Sequence, residues 1–382
     1  GSHHSVDLLC VGRCDFGSGS PADPEEDLRQ VGELIEWRCD ELCLKRNFKE
    51  LTFTTRSILE ERKRILVEIQ REDLKYINLV TRNGLASDVV FSSVPQSIKD
   101  YIIFTKKPIE EYSDSSFKYL LMDDTATIID FIGEVPESGE LEIPTTVNGR
   151  TVTKIDSKVF ISDPSLTKVV ANSVTTLGDN CFQYCSLTSA DLPNVTSLGA
   201  NCFYGCASLT SMDIPLVTIL GSGCFSNCSG LTSINIPNVT SLGNYCFGGC
   251  SKLTSIDVPK VTSFGNYCFT NCSGLTSINI PNVTSLGSYC FDQCTALTSL
   301  EFPKPPTTIN NNMLGGTTPS KVATLTLGSP GNPLVVNSYH SICFKSIYLT
   351  SIIIYVDNPA EPPAYANSPW GATNATITYE QA

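Results

Sequence analysis

Six times along this 382-residue chain two cysteines bracket a phenylalanine in the order Cys-Phe-x-x-Cys, from Cys181 and Cys185 through to Cys290 and Cys294. Thiols four residues apart can bind zinc as thiolates, close disulfides, or pack as small hydrophobes. The degenerate units discriminate between these chemistries. Val159 stands at the first cysteine position of one unit, and Ile347 at the second position of another beside Cys343. A branched aliphatic side chain replaces a packed thiol but cannot replace a ligand. A chain of this length builds a core of its own and does not need the staples of small secreted domains. The twelve thiols are therefore read as buried and reduced, with no metal and no cofactor. That state fits folding in a cytoplasm or an anaerobic niche. Cys10, Cys14, Cys39 and Cys43 form a separate set. They could hold zinc or a disulfide if their segments adjoin, but the spacing is not a standard zinc pattern.

The cysteine pairs sit inside a longer period. Leu187, Leu209, Leu231, Leu253, Leu275 and Leu297 follow one another at 22 residues, each opening a segment close to Leu-Thr-Ser-Ile-Asn-Ile-Pro-Asn-Val-Thr-Ser-Leu-Gly. A fixed period in this range marks a solenoid, whose units bury their apolar edges only by stacking. Leu-x-x-Ile-x-Ile-Pro predicts a short strand that stacks with its equivalents as a parallel sheet at about 4.8 Å per rung. The prolines from Pro193 to Pro303 should end these strands. Val-Thr-Ser-Leu predicts a second, shorter strand, the glycine after it a backbone bend, and Cys-Phe-x-x-Cys one or two turns of helix. Eight to nine turns are expected.

Stacking would align the outward strand positions into columns. One holds Asp191, Asp213, Asn235, Asp257, Asn279 and Glu301; a parallel one runs in serine from Ser189 to Ser299. Together they describe a flat polar face suited to hydrogen-bonding a glycan or a polar protein surface; plain solvation of an exposed sheet accounts for them equally well. Differences between units gather around the cysteines, at Gln183-Tyr184, Tyr204-Gly205, Ser226-Asn227, Gly248-Gly249, Thr270-Asn271 and Asp292-Gln293. Tyr245, Tyr267 and Tyr289 add an aromatic row that could serve as a recognition edge.

A formal net charge of -13 argues against nucleic-acid partners and against a basic membrane-surface anchor. There is no run of 18 or more apolar residues, so no membrane insertion is expected. Catalytic constellations are missing too. The three histidines are His3, His4 and His340, and Asp114, Asp123 and Asp124 read as isolated surface acids. The opening Gly1-Ser2-His3-His4-Ser5 lacks the regions of a secretory signal and resembles a tag remnant, which leaves export undecided.

Three domains are drawn: a mainly helical one over 1–116, a solenoid over 117–348 and a cap over 349–382. In the first, Asp23, Pro24, Glu25 and Glu26 look like a helix start, followed by Leu28, Val31, Ile35, Cys39 and Leu42 on one face. A second amphipathic stretch, Ser57 to Val80, completes a helical hairpin or a homo-oligomerising element. Strands are expected at Ala126–Ile132 and Gly139–Pro144, with a turn at Asn148-Gly149.

From about Tyr119 to Tyr379 these residues closely resemble the BspA-like leucine-rich repeat family, whose units run Leu-x-x-Ile-x-Ile-Pro, Ile/Leu-Gly, Ala-Phe-x-x-Cys. The segment Leu141 to Gly149 looks like that family's usual opening. Two departures stand out: cysteine replaces the alanine before phenylalanine, and the unit is 22 residues where 23 is common. The resemblance implies a curved repeat domain of parallel strands and short helices, mediating adhesion from bacterial or protist surfaces or within phage-encoded proteins. The expected function is non-catalytic recognition of a cell-surface protein or glycan, extracellular or on the cell surface. One alternative is a phage or prophage virion component. The other is an enzyme in the first 116 residues with the repeats as a targeting module.

Overall fold

The computed structural model describes residues 109–382, apart from 317–318, 336–337, 340, 342 and 363–369, together with three strands nearer the N-terminus. The chain separates into two compact units, Gly1–Tyr112 with Leu120–Thr125, and Ser113–Tyr119 with Ala126–Ala382.

In the first unit, Glu50–Thr54, Tyr76–Val80 and Ile102–Thr105 form a parallel three-stranded sheet in chain order, with Leu51 opposite Ile77 and Ile77 opposite Ile102. Tyr76–Val80 is therefore a strand where the end of a helix was expected; the rest of the mainly helical reading of 1–116 falls almost wholly on residues outside those described. Tyr76-Ile-Asn-Leu-Val80 is dense in aromatic and β-branched types. The helical spacing traced from Ser57 ran into that strand and took Ile77 and Val80 with it. The Asp23–Leu42 helix, most of Ser57–Val80, any oligomer built on them, and Cys10, Cys14, Cys39 and Cys43 lie outside the described residues.

In the second unit each repeat makes one coil with two strands. The first column of strands has eleven rungs, from Glu140–Glu142 through Ser233–Asn235, Ser255–Asp257 and Ser277–Asn279 to Thr376–Gln381, so there are about ten coils. The extra coils come from the ends, where Ser351–Val356 and Thr376–Gln381 still pair in parallel after the repeat pattern has decayed. The second column consists of two-residue strands such as Ser241–Leu242, Ser263–Phe264 and Ser285–Leu286. Register is one repeat in both columns: Ser211 faces Ser233, Ser255 faces Ser277, and Leu242 faces Phe264. At the entry, Thr146–Val147 pairs antiparallel with Arg150–Ile155 around Asn148 (φ 47) and Gly149 (φ 73), as the Asn-Gly signal requires.

No helix occurs among the described residues; the Cys-Phe-x-x-Cys arc is a run of turns. Two residues in most coils have left-handed backbone, for instance Tyr245 (φ 55) and Gly249 (φ 79), then Tyr267 (φ 57) and Asn271 (φ 59). An α-helix cannot pass through such residues. Their amides point to the next coil: Tyr245 N–H donates to Asn266 O at 2.9 Å and Gly249 N–H to Thr270 O at 2.7 Å. Between them Phe247 N–H reaches Cys268 O at 2.9 Å, and the same bond recurs from Phe203, Phe225 and Phe269. The arc therefore alternates its donors: Tyr245, Phe247 and Gly249 reach the next coil, while Gly248 N–H donates to Tyr245 O and Cys250 N–H to Phe247 O within their own, both at 3.1 Å.

The core is filled identically coil after coil. Leu231, Val239 and Phe247 are fully buried, and their equivalents follow suit. The phenylalanines stack from Phe160 to Phe291 with centroids 5.2 to 5.7 Å apart and near-parallel planes. That separation places them in offset contact. The glycine column serves close approach more than bending. A Cβ on Gly243 would lie 2.6 Å from the Gly221 carbonyl carbon, and Gly243 needs no left-handed φ. Ser229–Gly243 recurs unchanged as Ser273–Gly287, so the strand half of the coil packs from the same residues twice.

Asp114 is no isolated surface acid. It accepts from the Ser116 and Phe117 amides at 2.7 Å and from the Tyr119 hydroxyl at 2.8 Å. Burial opposes its charge, but the three donors hold its carboxyl below the ordinary range.

Removing one ring from the stack should leave a cavity that its neighbours cannot close. Phe247→Ala is expected to cost about 3–5 kcal/mol, read as a shift in the urea unfolding midpoint of the full chain.

Candidate binding surface

The strand positions singled out in the sequence do share one face. Asp191, Asp213, Asn235, Asp257, Asn279 and Glu301 are all exposed, and Ser211, Ser233, Ser255, Ser277 and Ser299 are exposed beside them. They are linked to one another. Asn235 Nδ2 donates to Asp213 Oδ1 at 2.8 Å, and Asn279 Nδ2 donates to Asp257 Oδ1 at 2.8 Å. Alternating amide and acid keeps the two carboxylates two rungs apart, roughly 10 Å, where salt screens their repulsion. At the N-terminal end Lys168 Nζ contacts Glu140 Oε1 at 2.8 Å, and that hydrogen bond, with the charges of Glu140 and Asp191, raises the ammonium's pKa. Each aspartate keeps its second oxygen for other donors.

Threonine ladders flank the face. Thr232 Oγ1 donates to Thr210 O and Thr276 Oγ1 to Thr254 O, both at 2.9 Å. The asparagine after every second proline does similar work, Asn238 Nδ2 to Pro215 O and Asn282 Nδ2 to Pro259 O at 2.8 Å. Neither ladder was singled out from the sequence, although Leu-Thr and Pro-Asn recur plainly enough to have marked them.

The thiols face inward. All thirteen described cysteines are buried and free. The second cysteine of each pair has a definite partner: Cys228, Cys250, Cys272 and Cys294 donate through Sγ to the carbonyls of Phe203, Phe225, Phe247 and Phe269 at 3.1 to 3.2 Å. Each thiol is a small hydrophobe that also carries a donor to the preceding coil. Burial pushes the Cys185, Cys224, Cys272 and Cys290 thiols up to about 12, and the others are raised as well. Ile347, in the second cysteine position of its unit, is 70% exposed. The coil there does without the packed group, so that substitution does not show an aliphatic side chain filling the thiol site.

The tyrosine row is a stack. Tyr245 and Tyr267 lie 4.7 Å apart and Tyr267 and Tyr289 4.9 Å, with planes within 3°. All three are left-handed (φ 55, 57 and 57), where equivalent positions hold Asn180, Asn201, Gly223 and Asn312. Asparagine and glycine enter this conformation readily, but a bulky side chain there is an outlier. Such strain is of the order of 1–3 kcal/mol per residue, partly offset by ring stacking.

The BspA type leucine-rich repeat region matches residues 153–273 and 218–330, in six copies. Over residues 153–330 the solenoid is a BspA-type leucine-rich repeat region. Among curated protein sequences none matches the chain. Solved structures similar to it include a leucine-rich repeat protein of T. pallidum, at 25% identity and TM-score 0.44, covering 49% of this chain and 91% of that one. A leucine-rich cell surface protein of Faecalibacterium prausnitzii shares 22% identity at TM-score 0.39, covering 73% and 97%. A leucine-rich repeat protein of Bacteroides ovatus shares 19% at 0.47, covering 70% and 76%.

The raised thiols fix the pH dependence of the BspA-type stack. A folded-state pKa above the unfolded one means the folded chain holds its protons longer, so stability is full below about 9 and falls as pH rises towards 12. In reducing buffer the urea midpoint should drop above pH 9, by about 1.4 kcal/mol per pH unit for each thiol involved. Cys272→Ala should lessen that slope. At pH 8 a disulfide-exchanging thiol reagent should label the repeat cysteines only after unfolding.

Proposed function

We propose that the repeat stack is a non-catalytic recognition module, displayed at a cell surface and binding a surface protein or glycan. The observation that carries this reading is the alignment of exposed hydrogen-bonding side chains in straight columns along the coils, with Asp213–Asn235 and Asp257–Asn279 tied into fixed pairs. Tied side chains have already lost rotamer freedom, so a partner that binds them loses less entropy in doing so. BspA-type repeats fit the role, because stacked coils supply an extended surface while the interior carries the stability.

The face is acidic and polar, which favours partners rich in hydroxyl, amide or cationic groups. Its position also separates recognition from folding: none of the six columnar side chains enters the core.

The full chain, probed against glycan and surface-protein arrays, should give a hit that Asp213→Lys combined with Asp257→Lys abolishes, with thermal stability changed by less than about 1 kcal/mol. An unchanged signal in the double variant would remove the strand face as the site.

A further inference from the structure

Independently of the strand face, the turn edge carries a groove of about 410 Å³, walled by Tyr204 and Tyr245 and floored around Gly223 and Gly249. It exists because of differences between coils. The left-handed position that carries tyrosine at 245, 267 and 289 is glycine at 223, so the tyrosine stack stops at Tyr245 and that ring turns its outer face to the groove. Gly248 and Gly249 remove two more side chains where other coils have Tyr204, Asn227, Thr270 and Asn271. The far end of the stack is closed, since Asn312 Nδ2 donates to the Tyr289 hydroxyl at 2.9 Å and Gly316 lies against that ring.

The lining has a narrow chemistry. Its twelve residues are asparagine, tyrosine, serine, glycine and threonine, and none carries a charge in a chain whose formal net charge is -13. Tyr245 is 46% exposed, and Asn227 Nδ2 holds the Tyr204 hydroxyl at 2.9 Å, orienting the opposite wall. The Asn201 amide lies over the Gly223 backbone, with Asn244 and Asn271 also at the rim. An aromatic face beside several amides matches a ring with one apolar C–H face and a girdle of hydroxyls. The volume falls within the range of about 300–1,000 Å³ usual for small-ligand clefts.

The geometry points to a binding site for a neutral saccharide in this groove, one sugar ring stacking on Tyr245 and the asparagine amides holding its hydroxyls. It rests on the reading of the solenoid as a recognition module but places a defined ligand class on the turn edge, away from the strand face. Three consecutive tyrosines in a conformation that asparagine and glycine adopt more cheaply fit this role. Tyr267 and Tyr289 brace Tyr245 from behind, so its ring is held ready for a sugar before any arrives.

The test is titration of the full chain with neutral disaccharides (maltose, cellobiose, lactose and diacetylchitobiose), followed by calorimetry and saturation-transfer NMR. At least one should bind, with contacts from its ring protons. Tyr245→Ala should weaken that binding about tenfold or more. Gly223→Tyr should abolish it by extending the stack across the groove; its Cβ meets the Asn201 amide oxygen, a side-chain end that must turn aside, and the next three coils carry tyrosine at the equivalent left-handed position. Circular dichroism checks that both variants fold. Failure of all four sugars to bind overturns the site without touching the strand-face reading. Binding that survives Gly223→Tyr overturns it as well.

Discussion

The bond from each phenylalanine amide to the cysteine carbonyl one coil later governs this structure. A coil of 22 residues has two short strands whose ladders look after their own polar groups, but the arc between them is buried against its neighbours. Its amides must find acceptors, and within the coil the left-handed residues deny them helical partners. Passing every second donor to the next coil, with the ones between closing turns in their own, solves the problem and fixes the spacing of every other column. Phenylalanine rings, threonine ladders and glycine contacts all repeat at the distance this bond sets.

The cysteines follow from the same constraint. The phenylalanine carbonyl, already receiving the second cysteine's amide within its own coil, also receives a thiol from the next, as Phe225 O does from Cys228 N–H and Cys250 Sγ. Alanine would neither donate nor fill the sulfur's volume; serine would donate but bring a more strongly solvated group into a dry site. Sulfur sits between these demands. The repeated thiol pairs are thus part of the packing, as their aliphatic replacement at Val159 suggested, and all the described ones lie out of reach of solvent.

How much of this was legible depended on which signals repeat. Period, strand positions, inward leucines and the outward Asp/Asn column all follow from the 22-residue spacing, and so does the family resemblance. The arc misled because Cys at i and i+4 with Phe between them satisfies a helical face. The contrary signal was there, in Asn180, Asn201, Gly223 and Asn271 at positions that need left-handed backbone. Tyrosine at 245, 267 and 289 masked it, since that residue seldom adopts such a φ. The groove was half visible: Tyr204, Asn227, Gly248 and Gly249 stood out as variable, whereas Gly223 was not singled out. In the N-terminal third, with no repeat to average over, Tyr76–Val80 was absorbed into a helical pattern for want of a boundary signal.

The verbatim recurrence of Ser229–Gly243 at Ser273–Gly287 has a consequence for how the chain finds its native alignment. During folding, a strand that docks one or two coils out of step meets nearly the same leucines, rings and carbonyls as in its proper place. The middle of the array therefore discriminates weakly between correct and slipped pairings. Discrimination must come from the unrepeated ends, the Asn148-Gly149 hairpin on one side and the long Ser351–Val356 strand on the other, which act as fiducial marks for everything between them.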